Sequence, residues 1–108
     1  MDISQLTEKM DDFVRSKGWY SADSLRPQTP RNLAISLSLE TSEVLEHFQW
    51  NEQLSDKDTL AGEFADVALY LFQLSSVCGI DLEQAILEKL KINASRNWDG
   101  DKETEVSK

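Results

Sequence analysis

The stretch Leu33-Ala34-Ile35-Ser36-Leu37-Ser38-Leu39-Glu40-Thr41-Ser42-Glu43-Val44-Leu45-Glu46-His47-Phe48-Gln49-Trp50 decides the fold class. Its first half alternates, with Leu33, Ile35, Leu37 and Leu39 set between Ala34, Ser36 and Ser38, which is the period of a strand. The second half does not. Glu40, Glu43, Val44, Leu45, Glu46 and Phe48 follow a helical period, and no turn residue separates the halves. The reading is therefore one helix from about Arg31 to Trp50, with Pro30 in its first turn and Thr29 as its cap.

Working outward, Ile3, Leu6, Met10 and Phe13 recur at steps of three and four, an amphipathic helix that Gly18 ends. Trp19 to Gln28 is polar, aromatic and aperiodic, so it reads as a loop. Downstream, Ser55 and Asp58 resemble a capping pair that opens a helix closed by Gly79. In Leu60–Val77, 12 of 18 positions are apolar and cover most of the circumference. A helix apolar all round has to be buried on several sides. A small chain has little else to cover it with, so an oligomer is expected. Asp81 with Gln84 caps a last helix carrying Leu82, Ile86 and Leu90. The sum is an all-α bundle of about four helices over residues 1–98, followed by a charged tail, 99–108, expected to be disordered.

The 108 residues hold 11 basic and 20 acidic side chains, a net charge of −9. That excess argues against binding a nucleic acid polymer, which needs a basic face. It permits a nucleotide if divalent cations stand between the negative charges. A single cysteine, Cys78, excludes a disulfide framework and a cysteine zinc cage; it is expected to be a small core residue. Met1-Asp2-Ile3-Ser4-Gln5 lacks the pattern of a signal peptide. The longest uncharged stretch, Val67–Ile80, has 14 residues, too few to span a bilayer. A soluble cytoplasmic protein is the expectation.

Glu40 and Glu43 are three apart on one helix, as are Glu63 and Asp66 on the next, so each pair shares a face. Glu63 and Asp66 stand in the apolar run Ala61-Gly62-Glu63-Phe64-Ala65-Asp66-Val67-Ala68-Leu69, and no Lys or Arg lies between Lys57 and Lys89. Buried carboxylates are costly unless paired or bound to metal. Antiparallel packing of the two helices would join the pairs into a four-carboxylate cluster, whose oxygen ligands suit Mg²⁺ or Mn²⁺. The bland alternative is two ordinary solvated helix faces. A ferritin-like di-iron site is rejected, since it needs two Glu-x-x-His motifs and His47 is the sole histidine. Lys89, Asn93 and Arg96 form a stripe on the last helix, suited to phosphate oxygens or to plain solvent. Trp19, Trp50 and Trp98 fall near helix ends, where indoles stack on a base or pack a bundle end. His47 reads as a surface or hydrogen-bonded residue.

Together these residues resemble the MazG-like all-α nucleoside triphosphate pyrophosphohydrolases. Glu40-Thr41-Ser42-Glu43, a spacer of 19 residues and Glu63-Phe64-Ala65-Asp66 match their E-x-x-E and E-x-x-D motifs. Lys89, Asn93 and Arg96 match a stripe on their last helix. Pro30-Arg31-Asn32-Leu33, Phe48-Gln49-Trp50 and the upstream Trp19 look like the dCTP pyrophosphatase branch, from which Thr41-Ser42 departs. The resemblance implies a helical bundle assembled as a dimer or tetramer. It implies Mg²⁺ on Glu40, Glu43, Glu63 and Asp66, with Glu43 as the candidate base. Lys89, Asn93 and Arg96 would contact phosphates, and Trp19 and Trp50 would line a base pocket. The implied reaction is hydrolysis of a nucleoside triphosphate, dCTP-like favoured, to monophosphate and pyrophosphate, clearing nucleotide pools. Two other readings stand beside it: an acidic helical adaptor for a basic protein, and a metal-dependent hydrolase of a phosphoribosyl intermediate.

Overall fold

The computed structural model describes residues 1–53 and 56–96. They form four helices and, among the described residues, no strand: α1 (Ile3–Ser16), α2 (Pro30–Glu46), α3 (Lys57–Val77) and α4 (Leu82–Ser95). The alternating Leu33–Leu39 stretch is helical, because the pattern of the whole element outweighs the local one. The tail 99–108, the end of the 1–98 unit from residue 97, Trp98 and Ser55 lie outside the described residues.

Each helix starts on a side chain that satisfies backbone N–H groups the helix itself leaves unpaired. Asp2 forms a reciprocal capping box with Gln5. Thr29 accepts from the Asn32 N–H, with Pro30 at the first helical position. Asp56, rather than Ser55, caps α3 through the Thr59 N–H, and Asp81 caps α4 through the Gln84 N–H. Gly18 and Gly79 follow α1 and α3 with φ of 75° and 71°, a left-handed turn that glycine adopts without a Cβ clash. α2 stops at Glu46, not Trp50; the chain turns through His47–Trp50 with bonds spanning three residues, such as Phe48 N–H to Leu45 O at 2.9 Å.

α3 is the central element, with α1 and α2 packed on it, while α4 packs on α1. The buried apolar side chains are Met10, Val14, Leu33 and Leu60. α4 leaves the direction of α3 at 103°. The Glu83 carboxylate of α4 accepts from the Ser4 N–H at 3.4 Å, placing negative charge at the positive end of α1.

One expectation about burial is corrected here. Cys78 is exposed, since it caps the C-terminus of α3 where the chain turns away from the core. As expected of a small chain, α3 is not covered all round: α1 and α2 shield two sides, and Phe64, Leu69, Leu71 and Val77 remain exposed. No single described helix is long and apolar enough to cross a membrane.

Candidate active site

The packing of α2 on α3 brings Glu40 and Glu43 of one helix beside Glu63 of the other. One carboxylate oxygen from each lies within 4.8 Å of the other two. Glu40 and Glu63 are half-buried and Glu43 is exposed. Glu40 Oε1 and Glu63 Oε1 are shielded from solvent and have no hydrogen-bond partner. Two such oxygens facing a third carboxylate are unfavourable for a bare protein. The acidity shows the strain. Loss of solvent raises the Glu40 pKa, with Glu43 and Asp66 adding to it. The facing Glu63 carboxylate raises that of Glu43, first because a protonated Glu43 could donate a hydrogen bond to it and then through its charge. The neighbours that raise these two groups are all carboxylates. An oxygen-only donor set in need of positive charge fits a hard divalent cation such as Mg²⁺ or Mn²⁺.

Asp66 stands apart from the three. It is close enough to raise Glu40 and Glu43, but it opens into a separate cavity of about 600 Å³ between α1, the 19–28 loop, α2 and α3. Asp66, Leu69, Tyr70 and Gln73 all line this cavity, at the helical spacing that keeps one face of α3 turned into it. Trp19 lines it as well. Phe13 packs edge-on to Trp19 with ring centroids 5.9 Å apart, and the Arg26 guanidinium lies 5.7 Å from the indole centroid. A smaller pocket is lined by Glu43, Glu46, His47 and Glu63.

The remaining candidates sit elsewhere. Trp50 is 89% exposed and is not part of the cavity wall. Lys89 and Arg96 are exposed and Asn93 is half-buried, spread from the middle of α4 to its C-cap; no α4 residue lines the cavity or the acidic pocket.

Sequence reading missed a polar chain behind the cavity. Gln73 is only 4% exposed, and its Nε2 donates to Gln28 Oε1 at 2.6 Å. Gln28 Nε2 donates to the Arg26 carbonyl at 2.6 Å. Tyr20 donates to Asp11 Oδ1 at 2.6 Å, and Ser76 donates to Asp11 Oδ2 at 2.7 Å. The available signal was Gln73 itself, an amide in a run of large apolar residues and seven positions after Asp66.

The family model described as the MazG-like family matches residues 35–108. Among curated proteins, the chain is 34% identical to mouse dCTP pyrophosphatase 1 over 76 residues, covering 62% of this chain and 45% of that protein. The human dCTP pyrophosphatase 1 is 36% identical over the same length and shares. A dATP/dGTP diphosphohydrolase of Salmonella phage PMBT28 is 41% identical over 51 residues, 44% of this chain and 18% of its own. The chain thus spans about half the length, or less, of these curated relatives. Among solved structures, a pyrophosphatase from Archaeoglobus fulgidus superposes with a TM-score of 0.69 at 31% identity, covering 90% of this chain and 92% of the other. By its matched segment, its four-helix architecture and this likeness, the chain belongs to the MazG-like family.

Proposed function

We propose that the protein is a Mg²⁺-dependent nucleoside triphosphate pyrophosphohydrolase, with a dCTP-like deoxynucleotide as the favoured substrate. The observation that carries this reading is the pair of shielded, unpartnered oxygens on Glu40 and Glu63 beside Glu43, one helical turn from Asp66, which lines a cavity of about 600 Å³. The pyrophosphatase and diphosphohydrolase names of its relatives support it.

In this reading Glu40, Glu43 and Glu63 hold the cation, and Asp66 faces the substrate from the cavity side. Bound Mg²⁺ supplies charge neutralisation for the phosphates and acidifies water. Glu43, the most exposed of the three, takes a proton from the attacking water. The water oxygen bonds to the α-phosphorus, the α–β anhydride bond breaks, and pyrophosphate leaves with the bonding electron pair. Trp19 flanks the base in the cavity. Trp50 stays a base-pocket residue only if assembly brings it there.

Assembly as a homodimer or homotetramer belongs to the same proposal. The radius of gyration is 17.2 Å, against about 13 Å for a compact domain of this length. Ile86, Leu87, Leu90 and Ile92 of α4 are exposed along with the outer face of α3. Apolar surface of this kind marks an interaction site. A second copy covering α4 would give Lys89, Asn93 and Arg96 a route to substrate phosphates that one chain does not provide.

Pyrophosphate release from a panel of canonical and modified nucleotides, with and without Mg²⁺, tests the activity. Release from deoxynucleotides only when Mg²⁺ is present is the expected result. Binding of a basic protein with no metal-dependent nucleotide binding would favour the adaptor instead.

A further inference from the structure

We propose that the Gln28–Gln73 amide pair reads the Watson–Crick edge of the base and separates 4-amino from 4-oxo pyrimidine nucleotides; this rests on the nucleotide reading above. Both residues line the cavity that also holds Asp66 and Trp19. Gln73 lies seven residues beyond Asp66 on the same face of α3, about 10 Å along the helix axis. With phosphates at the Asp66 end, a nucleoside extending through the cavity presents its base to the amides.

A free side-chain amide is a poor discriminator, because it can flip and exchange donor for acceptor. Here the flip is blocked. The Arg26 carbonyl can only accept, so Gln28 must turn its nitrogen toward it and its Oε1 toward Gln73. Gln73 must then face Gln28 with its own nitrogen. These bonds use one hydrogen of each amide nitrogen. The pair still presents an N–H of Gln28 and the acceptor Gln73 Oε1, and the two bonds hold them in a fixed order.

Cytosine offers an acceptor at N3 and a donor at its 4-amino group, whereas thymine and uracil offer the reverse. A fixed order of donor and acceptor matches one edge and sets like against like on the other. A buried polar group left unpaired by the wrong base costs more than the right one gains.

The test is calorimetric titration of the full chain in Mg²⁺ with dCTP and with dTTP, alongside Gln73→Leu and Gln28→Leu. Gln28 lies on the loop and is half-buried, so its variant tests the idea if Gln73→Leu does not fold. Wild type should separate the two by about tenfold or more in Kd, with dCTP the tighter when the Gln28 N–H meets the 3-nitrogen of the base. Both variants should bring the ratio close to one, with the effect in KM rather than kcat where turnover is measured. Equal wild-type affinities, or a ratio unchanged in folded variants, would overturn the proposal. Pyrophosphate release measured in parallel separates the two readings. Turnover with an unchanged ratio sinks the amide pair alone, and a collapsed ratio without turnover sinks the hydrolase alone.

Discussion

The Tyr20 hydroxyl donates a 2.6 Å hydrogen bond to Asp11 Oδ1, fastening the loop that carries Trp19 and Gln28 to the flank of α1. Partial burial and the Asp11 carboxylate hold the phenol in its protonated form, and its pKa is pushed up to about 12 from 10.0. Below pH 10 both folded and unfolded chains keep this proton, so the bond contributes fully. Above pH 10 the unfolded chain releases it first, and the contribution fades until the folded phenol ionises near pH 12. Chemical denaturation across pH 9–12 should show stability falling in that window for the wild type. In Tyr20→Phe the fall should be smaller.

Glu43→Gln has opposite effects on stability and activity. Glu40 and Glu43 have raised pKa values, so without metal their stabilising effect is present below about pH 4.5 and is lost as pH rises through the folded values. At neutral pH the metal-free variant should therefore melt at a higher temperature than the wild type. Addition of Mg²⁺ at a hundred times its Kd should stabilise the wild type by about 2.7 kcal/mol, and the variant by less. Pyrophosphate release by the variant should drop about a hundredfold or more. Near-wild-type turnover at saturating Mg²⁺ would show the site to be misassigned.

Asp66→Asn separates the cavity-facing carboxylate from the three clustered ones. A group that supports the metal from outside the cluster typically changes affinity or activity about 10–100-fold. The half-saturating Mg²⁺ concentration for turnover should rise by that order. A variant with unchanged Mg²⁺ dependence but a raised KM would instead make Asp66 purely a substrate contact.

Leu33 carries the junction of α2, α3 and the cavity floor and is 2% exposed. Leu33→Ala removes buried methyl groups and leaves a void, a change that costs about 2–5 kcal/mol. Urea unfolding monitored by far-UV circular dichroism should show the loss as a lower midpoint.

Leu90 is 60% exposed on α4. If that face is covered by a second copy, Leu90→Glu places a charge in the contact and should release chains of 12.3 kDa. Light scattering after gel filtration distinguishes them. A wild type already at that mass would remove the assembly from the proposal.

How far the helices could be read ahead of the structure depends on local chemistry. Thr29-Pro30, Asp81 with Gln84, and the glycines at 18 and 79 act within a few residues, so their effects are visible in order along the chain. The end of α2 was not visible, because nothing like glycine marks Glu46 and the chain leaves the helix through a gradual tightening of its turns. Cys78 was misread for a related reason: hydrophobic character predicts burial only if a neighbour arrives to cover the residue.

For the site, the spacing of Glu40 with Glu43 and of Glu63 with Asp66 was enough to place each pair on a helix face. Periodicity along one helix says nothing about the rotation of that helix against another. The tertiary packing decided that Glu40, Glu43 and Glu63 converge within 4.8 Å while Asp66 turns to the cavity. It likewise decided that Trp19 enters that cavity and Trp50 does not, and that Gln28 and Gln73, 45 residues apart, hold each other at 2.6 Å. Sequence by itself determined the helices and which chemistry each one carries, since those follow from bonds a turn apart. Which of those groups meet depended on long-range packing, where side-chain volume and helix rotation act over the whole chain.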